Sequence, residues 1–206
     1  PNTQVLQIFE KLRLCLINLK DYKGLAADLK QELAIYEQIG SRTKVYGALN
    51  MLTWCYYNLR DVTEAQGYAE RTIKAASQTY GIKSAQYGSA LQDLGSVQLL
   101  SGNYAQAEQT LRRAMPYEAA IPETHMITMA QIAITEAAQG RYEQARTTLE
   151  AVVDESRQSP MTMKLTTGKE LSRLAEKRRA AGKIKDAEEL EKLAQIPKRV
   201  KTVGVQ

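Results

Sequence analysis

Apolar side chains recur along the chain at three- and four-residue intervals, the period of an amphipathic helix, and the runs are broken at regular distances. Residues 88–114 show both features. Leu91, Leu94 and Gln98 fall one turn apart with the small Gly95 beside Leu94, Ser101-Gly102-Asn103 interrupts the period, and Tyr104, Ala107, Leu111 and Ala114 restart it. The same break recurs at Lys20-Asp21-Tyr22, Arg60-Asp61-Val62, Gly102-Asn103-Tyr104, Gly140-Arg141-Tyr142 and Gly182-Lys183-Ile184, spaced 40, 42, 38 and 42 residues apart. Three residues beyond each triplet stands Leu25, Ala65, Ala107, Ala145 or Ala187. A small side chain there lets a second helix approach the first closely. Gly40 and Gly81 close the first two periods as helix-terminating glycines, and Pro116, Pro122, Pro160 and Pro197 fall at or beyond the ends of the later ones. A mid-helix proline costs about 3 kcal/mol, so prolines confined to boundaries agree with this division. The pattern predicts helix pairs near 4–40, 43–80, 84–117, 123–158 and 162–195, with a basic tail at 196–206 that is extended or disordered.

These residues resemble the tetratricopeptide repeat at its most diagnostic positions. The period of about 40 exceeds the roughly 34 residues of the commonest unit. Residues 78–85, and Leu49-Asn50-Met51-Leu52 in the second period, are similar to the longer repeat of kinesin light chains. Glu10, Ala130 and Ser172 stand where that asparagine would fall in the first, fourth and fifth periods. The resemblance implies an all-α, right-handed superhelical solenoid of about five antiparallel helix pairs. It also implies a non-catalytic scaffold for protein–protein interaction, in which the first helix of each pair lines a concave groove.

On that register the inward positions are Asn50, Trp54 and Tyr57 in the second repeat, and Gln92, Ser96 and Leu99 in the third. Ala130, Ile134 and Ala137 follow in the fourth, with Gln131 beside them. Asn50, Trp54, Tyr57, Gln92, Ser96 and Gln131 are the expected peptide-binding residues. Amides donate and accept at once, which suits the backbone of an extended peptide. Trp54 and Tyr57 are of the residue types enriched at binding hot spots. Family members that bind chaperone tails clamp a C-terminal carboxylate with Lys, Arg and Asn. Asn50, Met51, Gln92 and Asp93 offer no such basic clamp.

Composition narrows the rest. The chain is 44% hydrophobic and 25% charged, with eleven Tyr and one Trp. From residue 160 onward there are 12 basic and 6 acidic groups, against 16 and 17 before it, so the net charge of +5 belongs to the C-terminal end. Acidic residues are interspersed there and no aromatic follows Tyr142, which argues for a solvated end repeat over a nucleic-acid surface. Cys15 and Cys55 occupy equivalent positions one repeat apart and read as small buried hydrophobes, in keeping with a reducing, cytoplasmic setting. One histidine, His125, expected to be exposed, cannot build a histidine-containing metal cluster or serve a nucleophile elsewhere. No P-loop, G-x-G-x-x-G or G-x-S-x-G is present. No cofactor, metal, small-molecule substrate or membrane span is expected, and no enzymatic activity. The opening Pro1-Asn2-Thr3-Gln4 reads as that of an excised or processed piece. The alternative to a peptide-reading scaffold is therefore a sensor or assembly segment of a larger signalling protein, contacting another domain or another copy of itself.

Overall fold

Each of the five inter-helix triplets opens on a residue in the left-handed region: Lys20 (φ 56°), Arg60 (57°), Gly102 (83°), Gly140 (80°) and Gly182 (75°). A single such residue ends one helix and turns the chain toward the next. The following residue then starts the second helix. Asp21 accepts from the Gly24 N–H at 2.9 Å, and Asp61 from the Glu64 N–H at 3.2 Å, each satisfying a donor that the first helical turn leaves unpaired.

The computed structural model describes residues 16–118, 122–158 and 167–196. Its helices are α1 (Tyr22–Gln38), α2 (Arg42–Leu59), α3 (Val62–Thr79), α4 (Ala85–Ser101), α5 (Tyr104–Ala114), α6 (Pro122–Ala138), α7 (Tyr142–Gln158), α8 (Thr167–Ala180) and α9 (Ile184–Ala194). A 3-10 turn at Met115–Tyr117 extends α5, and no strand occurs among the described residues. The fold class is an all-α helical repeat. The expected first helix of the first pair, apart from its last residues, and the tail at 197–206 lie outside the described residues.

The chain divides into two units, Pro1–Ser101 and Gly102–Gln206. In the first, consecutive helices pack on one another, and α2 also touches α4. In the second, α5 packs on α6, α6 on α7 and α8 on α9, with further contacts of α6 to α8 and α7 to α9. Neighbour and next-but-one contacts together are the signature of stacked helix pairs. The small residues after the triplets are fully buried: Ala65, Ala107, Ala145 and Ala187, with Leu25 in the equivalent place. The first unit's core joins Leu25, Leu29 and Leu33 of α1 to Leu49, Leu52 and Cys55 of α2. Met126, Ala130 and Val152 form a cluster in the second.

Three expectations change. Ala130, Ile134 and Ala137 are core residues, because α6 meets α5, α7 and α8 and is buried nearly all round. Ile196, assigned to the tail, is 2% exposed and its N–H bonds to the Leu193 carbonyl at 3.0 Å. His125 is half-buried rather than exposed.

Candidate functional site

α2 and α4 lie side by side because they are the first helices of consecutive pairs, and an open cavity of about 350 Å³ lies against both. Its lining is Ile17, Asn50, Met51, Trp54, Ser89 and Asp93. Asn50 and Trp54 stand one turn apart on α2, as Ser89 and Asp93 do on α4, so each helix presents such a pair to the same space, with Met51 beside the first. Trp54 is 40% exposed, and its ring meets Tyr22 edge-on at 5.0 Å and 86°.

Asn50 bridges the two helices, its Nδ2 donating to Asp93 Oδ2 at 2.6 Å. Loss of water raises the Asp93 carboxyl to about 7, and the Asn50 hydrogen bond only partly offsets this. Tyr46 adjoins the pair from α2. Its hydroxyl donates to the Gln86 carbonyl at 3.3 Å, its ring meets Tyr80 edge-on at 5.2 Å, and its phenol is pushed up to about 12 by burial first and by the Asp93 charge next.

The other expected residues are placed differently. Gln92 donates from Nε2 to Ser96 Oγ at 3.3 Å, and Ser96 donates to the Gln92 carbonyl at 2.9 Å. Ser96 is 8% exposed, so its hydroxyl supports α4 from within. Tyr57 is half-buried on α2 and does not line the cavity, and Gln131 belongs to the second unit. Asp93 is the residue that sequence reasoning passed over. It was placed inward only as evidence against a basic clamp, and its pairing with Asn50 across 43 positions carried no local signal.

Elsewhere the chemistry is structural. No group of His, Cys, Asp and Glu among the described residues could hold a metal ion, and none of the described helices is long and apolar enough to cross a membrane. Cys55 is buried with its thiol pushed up to about 12 by desolvation, and Cys15 lies outside the described residues. Several basic groups of the last pair are engaged within it or its unit: Arg178 donates to the Ala138 carbonyl at 2.6 Å, and Arg179 to Glu191 at 2.5 Å.

The tetratricopeptide-repeat family profile matches residues 48–117, and a second profile of that description matches residues 130–159. Residues 48–117 and 130–159 are tetratricopeptide repeats. Solved structures agree on its fold. The TPR-like repeats of a Podosopora anserina kinesin light chain match with a TM-score of 0.64 at 17% identity, over 97% of each chain. BtubC (BKLC) from P. vanneervenii gives 0.69 at 11% identity, over 98% of this chain and 84% of that one. The apo form of RapI gives 0.63 at 12% identity, over 92% of this chain and 52% of that one. At these identities the fold is what is shared. No curated protein matches the sequence. As a tetratricopeptide array the chain is a repeat scaffold for protein interaction, in a family whose repeats are typically non-catalytic.

Proposed function

We propose that this tetratricopeptide scaffold reads an extended peptide, or the helix of a partner, on the face that α2 and α4 share. The observation that carries the reading is the open cavity beside Trp54, walled by both helices. Asn50 donates once, to Asp93, which leaves its second N–H and its carbonyl oxygen for a peptide backbone. Trp54 and Tyr57 supply rigid area for the peptide's side chains. Gln92 and Ser96, tied to each other, stiffen the α4 wall.

The test is a peptide-array and pull-down screen of the intact chain beside an Asn50→Ala/Tyr57→Ala variant of equal thermal stability. The expected result is a short extended motif held by the intact chain and weakened tenfold or more in the variant, as for hot-spot residues. Equal binding by both would remove the groove assignment. A second reading rests on RapI, about half of whose chain this one matches, so the same fold also occurs within a longer protein. There the array would contact another domain or another copy, and light scattering of the purified chain would show a concentration-dependent dimer.

A further inference from the structure

Among the described residues, the cavity between α2 and α4 has apolar side chains and one carboxyl in its lining. Ile17, Met51 and Trp54 are the apolar ones, and Asp93 is the one ionisable group. No ion pair joins Asp93 to a lysine or arginine among the described residues, whereas in the second unit Glu108 pairs with Arg141 and Glu136 with Arg112. Its neighbours are amide and phenol: Asn50 fixes Oδ2, and Tyr46 stands close enough for the Asp93 charge to reach its phenol. A carboxylate deprived of water and given no cation is costly to keep charged. A cationic ligand removes that cost.

Resting on the peptide-reading function above, we propose that this cavity is the specificity pocket for one basic side chain, lysine or arginine, of the bound peptide. The ammonium or guanidinium donates to Asp93 Oδ1 and lies against Trp54, where the ring adds an attraction of its own. The aliphatic stem runs along Met51 and Ile17. The volume of about 350 Å³ suits a long side chain and is at the lower end for a whole small ligand. Asn50 is the positioning residue: by holding Oδ2 it aims the remaining oxygen and links backbone recognition to side-chain recognition.

The charge state follows pH. The groups facing Asp93 are Tyr46 from α2 and, behind it, Tyr80 at the end of α3. Tyr87 is the other ionisable residue on α4. With Tyr46 held protonated, Asp93 is the described group of the cavity that titrates near neutrality.

Trp54 is the only tryptophan, so its fluorescence reports the pocket directly. A random 12-residue phage-displayed library is panned on the full chain. Recovered peptides are then made with the shared basic residue intact and with citrulline or norleucine in its place. Expected are one fixed Lys or Arg, a loss of tenfold or more on its neutral replacement, and no such loss on Asp93→Asn. On the unmodified protein the basic peptide should bind about tenfold more weakly at pH 6 than at pH 8, while its neutral counterpart is unaffected. That comparison decides the matter even where Asp93→Asn fails to fold. Recovered peptides sharing no basic position, or a neutral replacement equally costly on both proteins, would overturn the pocket and leave the groove reading intact. Recovery of no peptide at all would overturn both.

Discussion

Lys20 and Arg60 hold a backbone conformation that costs a residue with a Cβ about 1–2 kcal/mol, whereas the three later registers use glycine there. Arg60→Gly relieves that strain, partly offset by the greater freedom of the unfolded chain, and should stabilise by about 0.5–1 kcal/mol in a urea titration. Gly140→Ala should cost about 1 kcal/mol. A Cβ there meets nothing within 4 Å, so the loss would come from the positive φ alone. A second residue-scale effect is Glu118, 2% exposed, which accepts from Thr128 Oγ1 at 3.0 Å while its Oε2 has no partner among the described residues. Desolvation pushes its carboxyl up to about 7. The folded chain therefore keeps a proton that the unfolded chain has released above roughly pH 4.3. The stability linked to Glu118 is complete below that point and is lost as pH rises from there through 7, by at most about 4 kcal/mol. Thermal melts between pH 4.5 and 8 should show a falling contribution that Glu118→Gln removes; an unchanged slope would discard the assignment.

Between elements, close approach and shared charge do different work. At the α8–α9 crossing, a Cβ on Gly168 would sit 2.9 Å from the Ala194 carbonyl oxygen, which is backbone and cannot swing aside. Gly168→Ala should therefore force the two helices apart and cost about 1–3 kcal/mol, despite the better helix propensity of alanine. A chemical-denaturation series beside the wild type checks the sign. The α5–α6–α7 junction is held by ionic hydrogen bonds instead. Glu108 accepts from Arg141, from Gln139 at 3.0 Å and from Arg112 at 3.0 Å, while buried Glu136 accepts from Arg112 at 2.8 Å and from Thr148 at 2.9 Å. Burial alone would raise the Glu108 carboxyl, but the donors from Arg141, Gln139 and Arg112 hold it below the usual range. Its contribution is thus present at neutral pH and is lost only as pH falls through that lowered value.

At the scale of the whole molecule, the repeat supplies two things to recognition. Stacking brings first helices of successive pairs together, so residues some 40 positions apart become neighbours, as Asn50 and Asp93 do. Between α2 and α4 it leaves an open cavity. The proposed reader and its basic-residue pocket both depend on this juxtaposition. They separate experimentally: loss of binding in Asn50→Ala/Tyr57→Ala tests the groove, and the neutral-replacement series tests the pocket.

The sequence by itself determined the period, the turns and the fold class. The last three inter-helix triplets open on glycine, the residue type a left-handed turn favours, and the first two carry a capping aspartate, so these turns are written in local residue types. The small residues at the crossings were legible for the same reason. Only the tertiary structure decided which inward positions stay open. Ala130, Ile134 and Ala137 share the register of Asn50, Trp54 and Tyr57, yet packing against three helices closes them. It alone paired Asn50 with Asp93 and set the carboxyl's charge, because desolvation depends on what surrounds a group in space and not on its neighbours along the chain.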